Sequence, residues 1–122
     1  MSLVIDEIIQ DYNEYITTLN NEVPKLIRSI RSASDVSKIN AEVVDLFEGM
    51  AWIINVNDSL KELNFNNSID VKKINETLKE IAKAIEFNDY NLCADILEYE
   101  LLEEIYKLQI YEMTANEDDL NE

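Results

Sequence analysis

Apolar residues recur at three- and four-residue spacing along most of the chain, which is the spacing of amphipathic helices. Three such patterns predict helices over about residues 3–31, 36–63 and 69–87. Their apolar positions are Ile5, Ile9, Tyr12, Ile16, Leu19, Val23, Ile27 and Ile30 in the first, Ile39, Val43, Leu46, Met50, Ile53 and Leu60 in the second, and Val71, Ile74, Leu78, Ile81 and Ile85 in the third. The first pattern keeps its phase across Pro24, which favours one kinked helix over two short ones.

Residues 89–113 predict a fourth helix that carries apolar residues on two nearly opposite sides. The first stripe is Cys93, Ala94, Leu97, Leu101, Ile105 and Leu108. The second stripe is Leu92, Tyr99, Leu102, Tyr106, Ile110 and Met113. A helix packed on one core needs one apolar stripe, so the second stripe needs a second neighbour. That neighbour is either another molecule, bound as a partner helix or as a second copy in a homodimer, or the first two helices closing over both sides.

We expect the second stripe to be a partner interface, and we add Trp52 of the second helix to it. Tyrosine and methionine are common at interfaces because they give a large contact area and tolerate partial hydration. An alternative for Trp52 is that it lies at the edge of the core, beside a glycine that is merely tolerated at position 49. Close approach of another backbone or ring would instead be a reason for Gly49, because a helix-interior glycine costs roughly 1 kcal/mol relative to alanine.

The connections between the helices are predicted to be short, because the chain contains one glycine and one proline. Asp35 or Ser34 can cap the second helix, Ser68 or Asp70 the third, and Asp89 the fourth. These features predict an all-α fold, an antiparallel up-down four-helix bundle with long helices, in a single domain over residues 1–113. Residues 114–122 are acidic and have no apolar period, so they predict a disordered tail.

The chain is strongly acidic, with 26 Asp and Glu residues against 10 Lys and Arg and a formal net charge of -16. This charge disfavours nucleic acid and anionic membranes as partners and favours basic ones. Twelve of the acidic residues lie within residues 86–122, where Lys107 is the single basic residue. Lys25, Arg28 and Arg31 close the first helix, where they either complement the helix dipole or dock the acidic flank of the last helix.

Few catalytic or metal-binding chemistries are open to the chain, because it contains no histidine. Di-iron sites of the ferritin type and Ser/His or Cys/His nucleophile pairs all need that residue. The one cysteine, Cys93, lies on the first stripe and is predicted to be buried and redox-inert. A lone cysteine suits a reducing cytosol, and no apolar run approaches the roughly 20 residues of a membrane span. We therefore expect a cytoplasmic protein without a signal peptide and without a cofactor.

Carboxylates alone can bind Mg²⁺, and the chain resembles all-α nucleotide pyrophosphohydrolases in size, acidity and helical content. That family uses a Glu-x-x-Glu motif followed on a later helix by Glu-x-x-Asp. Glu100 and Glu103 match the first motif but lie on the last predicted helix. Both matches to the second motif precede it: Glu42-x-x-Asp45 and Glu86-x-x-Asp89. A Mg²⁺-dependent hydrolase is therefore the alternative function.

The stretch NDYNLCADILEYELL, with the long helices before it, resembles small uncharacterised acidic helical proteins of low-GC Gram-positive bacteria. The general plan, short, acidic and helical with a long apolar last helix, is similar to that of flagellar and secretion-system export chaperones. This resemblance implies a non-enzymatic protein-interaction module that acts as a chaperone or an adaptor.

Overall fold

The computed structural model describes residues 2–32, 35–67, 69–108 and 110–112, and this part of the chain is helical without a strand. Helix α1 spans Ser2–Arg31, α2 spans Val36–Glu62 and α3 spans Val71–Glu86. The fourth helix, α4, begins at Tyr90–Ile96, continues as a π-helical turn at Leu97–Leu101 and ends as α-helix at Leu102–Tyr106. The all-α class is thus confirmed, although α3 and α4 are short. Met113 and the predicted tail at 114–122 lie outside the described residues.

Helices α2, α3 and α4 begin at side-chain caps. Each cap is an aspartate whose carboxylate accepts a backbone N–H two or three residues further on, at 2.9 to 3.1 Å: Asp35 for α2, Asp70 for α3 and Asp89 for α4. Such a bond satisfies one of the free N–H groups at a helix start. The predicted cap at Asp89 is confirmed, and the other two helices use the aspartate of each predicted pair.

Asparagine, not glycine, supplies the left-handed residue that ends α2 and α3. Asn64 has a φ of 72° and Asn88 a φ of 57°. The N–H of the next residue bonds back to the carbonyl five residues earlier, at 2.9 Å for Phe65 and 2.8 Å for Asp89. This is the Schellman motif, in which asparagine can replace glycine. Asp89 therefore both closes α3 and caps α4, so the connection between Glu86 and Tyr90 is very short.

Helix α1 continues through Pro24 as a single helix of 30 residues, so the prediction of one helix is confirmed. Its predicted apolar positions from Ile9 to Ile30 are all buried. Those of α2 are buried as well, and both line one core with the inner sides of α3 and α4. Burial of a full apolar stripe supplies a larger stabilisation than the roughly 3 kcal/mol that an interior proline costs.

Contacts near the helix ends define the relative direction of α1 and α4. Arg31, at the end of α1, binds Asp95 near the start of α4 at 3.1 Å. Asn13, in the first half of α1, binds Tyr111 just beyond the end of α4 at 2.8 Å. The two helices therefore run antiparallel.

Gly49 is explained by a ring that packs directly against it. A Cβ atom at this position would lie 1.6 Å from the hydroxyl oxygen of Tyr15 and 2.6 Å from the ring carbon that carries it. Of the two interpretations of Gly49, the close approach of a ring is thus the one that describes it, and the ring comes from α1. Trp52, one turn further along α2, packs edge-on against the same tyrosine with ring centroids 5.7 Å apart.

The structure corrects two predictions for the fourth helix, and a π-helical turn accounts for the first of them. The N–H of Leu102 bonds to the carbonyl of Leu97, five residues earlier, so the turn holds about one residue more than an α-helical turn. Residues beyond it are rotated relative to a uniform helix, and Leu102 of the second stripe turns into the core, where it is 7% exposed. The helix also ends at Tyr106, short of the predicted end at residue 113.

Candidate interaction surface on the fourth helix

Four members of the second stripe remain on the outside of the chain. Leu92 is 46% exposed, Tyr99 64%, Tyr106 62% and Ile110 59%. We call these four residues the outer row. Leu92 lies before the π-helical turn, Tyr99 within it and Tyr106 after it, and Ile110 follows the end of the helix. Large apolar side chains at this exposure are a feature of surfaces that meet another molecule.

The opposite side of α4 faces the core and is fully buried. The inward residues Cys93, Ala94, Leu97, Leu101 and Ile105 of the first stripe are each 0% exposed. Burial raises the pKa of the Cys93 thiol to about 11, because a thiolate would be desolvated there. The predicted burial of Cys93 is confirmed.

Ion pairs tie both flanks of the outer row to the neighbouring helices. On one side Arg31 binds Asp95 at 3.1 Å and Glu98 at 2.6 Å. On the other side Lys73 of α3 lies 3.5 Å from Glu100. Glu98 and Glu100 precede and follow Tyr99, so α1 and α3 hold the two sides of the helix and leave this tyrosine pointing away from both.

Of the three basic residues that close α1, one contacts the last helix. Arg31 docks the acidic flank of α4, as one of the two interpretations proposed. Lys25 instead pairs with Glu22 on its own helix at 3.5 Å, and Arg28 is exposed. Because Arg31 is shared by two carboxylates, that flank keeps a net negative charge.

Trp52 packs against two tyrosines of α1. It is 37% exposed, and its ring contacts are with α1, namely Tyr15 and, at a centroid distance of 6.1 Å, Tyr12. The edge-of-core interpretation therefore describes its surroundings, and its inclusion in the candidate interface stays a prediction.

A buried polar cluster around Tyr111, just beyond the end of α4, was missed by the sequence patterns. Asn57 donates to the hydroxyl of Tyr12 at 2.7 Å and to the carbonyl of Ile53 at 2.8 Å, and it accepts the hydroxyl proton of Tyr111. Asn13 accepts the backbone N–H of Tyr111 at 3.0 Å and donates to its carbonyl at 2.8 Å. A signal for this cluster did exist, since Asn57 stands on the core stripe of α2 between Ile53 and Leu60.

Burial changes the proton affinity of the tyrosines in this cluster. It raises the pKa of Tyr12 to about 12, and the bond from Asn57 only partly opposes the rise. Burial also raises the pKa of Tyr111. Both hydroxyls are therefore protonated at neutral pH and serve as hydrogen-bonding groups, since the pKa of each lies far above that pH.

Two concave regions border the helices, and both are rimmed by charge. A groove of about 450 Å³ between α1 and α2 has an apolar floor that includes Leu19, Val23 and Leu46. A smaller recess of about 190 Å³ contains the buried carboxylate of Glu104, which binds Lys107 at 3.0 Å. That bond raises the pKa of Lys107. Within the described part of the chain no three acidic or cysteine side chains come together as a metal site.

Within the described ranges, no helix combines the length and apolar character needed to cross a membrane.

Comparison with known proteins gives one match. Neither the curated proteins nor the solved structures contain a match to the chain. A family model described as a domain of unknown function, DUF8042, matches residues 7–110, a range that includes most of α1 and the whole of α2, α3 and α4. The chain therefore belongs to the DUF8042 family.

Proposed function

We propose that the protein is a non-enzymatic, cytoplasmic protein-interaction module whose contact surface is the outer row of α4. The observation that carries the proposal is the exposure of four large apolar side chains, Leu92, Tyr99, Tyr106 and Ile110, on or just after one helix. Leaving such a row in water is unfavourable, at about 25 cal/mol per Å² of apolar surface, and a partner would recover that free energy.

The frame that presents this surface is, in our proposal, an antiparallel up-down four-helix bundle. The contacts of Arg31 and Asn13 with the two ends of α4 support it for α1 and α4. The connection at Asp89 supports it for α3 and α4, since helices joined by so few residues pack as antiparallel neighbours. Similarly, only a few residues separate α1 from α2.

The partner that fits this surface is a basic amphipathic helix. Its apolar residues would pack along the outer row, and its Lys and Arg side chains would face carboxylates such as Glu98, Glu103 and Asp95. A second copy of the chain fits less well, because it would bring the same acidic flanks together. The similarity in plan to export chaperones agrees with a helical client.

A pair of designed peptides can test this proposal. Both carry leucine at seven-residue spacing, one with lysine flanks and the other with glutamate flanks. We expect the basic peptide to bind more tightly by at least tenfold, to weaken as salt is raised, and to be lost when Tyr99→Glu and Tyr106→Glu are combined. Val44→Glu is the matched control, because Val44 is an exposed apolar residue of α2.

Three results would contradict the proposal. Equal binding of the two peptides would remove the charge argument, and unchanged binding by the double variant would remove the surface. A native dimer that the double variant abolishes would assign the outer row to a second copy. Circular dichroism is the control for folding, since loss of helix in the double variant would make these tyrosines part of the core.

The alternative function, a Mg²⁺-dependent nucleotide hydrolase, rests on Glu100 and Glu103. Glu100 lies 3.5 Å from the ammonium group of Lys73, which competes with a metal for this carboxylate. Turnover of nucleoside triphosphates with Mg²⁺ that is lost in Glu100→Gln would favour the hydrolase over the interaction module.

A further inference from the structure

The side chain of Tyr111 lies in a pocket formed by Tyr12, Asn13, Asn57 and Phe65, and we call this pocket the seat. Its ring packs edge-on against Tyr12 at a centroid distance of 5.5 Å and against Phe65 at 5.9 Å. Asn13 of α1 and Asn57 of α2 supply the polar contacts. All four of these residues precede α3 in the sequence, so the seat is formed without help from the segment that fills it.

Asn13 recognises the backbone of the occupant and not its side chain. The amide accepts from the N–H of Tyr111 at 3.0 Å and donates to its carbonyl at 2.8 Å. These two bonds copy the pairing that a neighbouring β-strand would offer to one residue. Any segment that presents its backbone in the same way can make them.

Asn57 recognises the phenol. Both protons of its side-chain amide nitrogen are engaged, one by the hydroxyl of Tyr12 and the other by the carbonyl of Ile53. The amide oxygen is therefore fixed in place at the bottom of the seat, where it needs a donor. The hydroxyl of Tyr111 is that donor, and a phenylalanine ring would leave the oxygen without one.

Within the described residues 110–112, it is Tyr111 that makes the contacts with the rest of the chain. The residues on either side of Tyr111, Ile110 and Glu112, are both exposed, and α4 has already ended at Tyr106. A segment held through one side chain and one residue of backbone can leave the seat without opening the helices, since local opening requires less free energy than global unfolding.

We infer that this seat is a binding site for an extended segment that carries tyrosine, filled in the free chain by its own residues 110–112 and open to a segment of the same chemistry supplied by another molecule. Asn13 holds the backbone of that segment, Asn57 reads its hydroxyl, and Tyr12 and Phe65 enclose the ring. The inference does not depend on the outer row, because the seat uses other residues of α1 and α2 and an extended partner, although the two sites adjoin at Ile110.

The test uses the full chain with Tyr111→Ala and a synthetic peptide of residues 107–113. Nuclear magnetic resonance follows the side-chain amides of Asn13 and Asn57 as the peptide is added. We expect saturable binding to the variant, weaker binding to the native chain, whose seat is filled, and about tenfold weaker binding when the peptide carries phenylalanine in place of tyrosine. Asn13→Ala in the variant should also weaken binding of the tyrosine peptide.

Absence of binding to the folded variant would overturn the inference, and so would equal binding of the tyrosine and phenylalanine peptides. Tyr111→Leu, which keeps much of the apolar contact, is titrated in parallel. If both variants are unfolded, recovery of helical circular dichroism on addition of the tyrosine peptide supports the inference, and no recovery overturns it.

Discussion

Tyrosine side chains are exposed in the outer row, and a tyrosine side chain is buried in the seat of Tyr111. Tyr99 and Tyr106 are 64% and 62% exposed, whereas Tyr111 is 7% exposed. Hydrophobicity does not separate them, because all three are tyrosines. Tyr111 can be buried because its hydroxyl is bonded to Asn57 and its backbone to Asn13. A tyrosine enters the interior when its polar atoms find partners there.

The two regions also differ in the interactions that contribute to their free energy. The seat is a specific arrangement in which each polar atom has one partner, so changes of a single atom are felt there. The outer row provides apolar contact area, and among the described residues its side chains have no fixed polar partner on their own chain. We therefore expect changes in the row to alter binding and changes around Asn57 to alter stability.

The largest expected effect separates two adjacent residues on opposite sides of α4. Cys93 is 0% exposed and Leu92 is 46% exposed. Cys93 should react with a bulky maleimide roughly a thousandfold more slowly in the native protein than in the unfolded chain, because it has to wait for opening of the core. Leu92→Cys in a Cys93→Ala background should react at nearly the unfolded rate. Mass spectrometry over time measures both, and fast labelling of native Cys93 would show that this side of α4 is not closed.

Removal of the buried amide comes next in size. Asn57→Ala takes a partner from both Tyr12 and Tyr111, so we expect the free energy of unfolding to fall by about 2–4 kcal/mol. Asn55→Ala is the matched control, because Asn55 lies on the same helix and is exposed, and its effect should stay within about 0.5 kcal/mol. Urea unfolding measures both. Equal effects would mean that the polar cluster contributes no more than helix propensity.

Alkaline pH should destabilise the interior of the protein. The pKa of Cys93 is raised from 9.0 to about 11 and that of Tyr12 from 10.0 to about 12, in both cases chiefly by burial. The folded state therefore holds these protons more tightly than the unfolded chain. Stability should be fully present below pH 9 and should fall as the pH rises through 11 and 12. Urea unfolding between pH 8 and 12 measures the fall, and Cys93→Ala should remove its first part. A flat profile would contradict the burial of both groups.

The smallest expected effect concerns the border of the outer row. Arg31→Gln removes the ion pairs to Asp95 and Glu98, whose side chains are 55% and 41% exposed. Exposed pairs contribute about 0–1 kcal/mol, and salt screens them. We therefore expect a loss of about 0.5–1 kcal/mol in low salt and less in high salt, with no loss for Arg28→Gln. A loss above about 2 kcal/mol would show that Arg31 positions α4 and does more than neutralise its flank.

Local signals in the sequence were sufficient for much of the fold. The cap at Asp89, the continuity of α1 across Pro24 and the burial of Cys93 each depend on residues within a few turns, and each prediction is confirmed. At Gly49 the sequence left two interpretations open, a glycine that is merely tolerated and the close approach of a backbone or ring. It could neither decide between them nor name Tyr15, because the contact depends on how α1 packs on α2.

Two features could not be predicted from the periodicity of apolar residues. The π-helical turn at Leu97–Leu101 inserts a residue without any proline or glycine to mark it, so a uniform helix placed Leu102 outside. The seat of Tyr111 joins residues that are 98 positions apart, and periodicity describes only neighbours. Asn57 on a core stripe did indicate that a buried polar partner was needed, but not which residue would provide it.

The separation between Asn13 and Tyr111 has a consequence for biosynthesis. A ribosome adds 97 residues after Asn13 before it reaches the tyrosine that fills the seat. At about 5–20 residues per second, that interval lasts roughly 5–20 seconds. Until then the nascent chain lacks the side chain that covers the rings of Tyr12 and Phe65 and the amide of Asn57 in the folded protein. Folding factors that bind exposed aromatic surface can therefore act on this end of the molecule before the chain itself closes it.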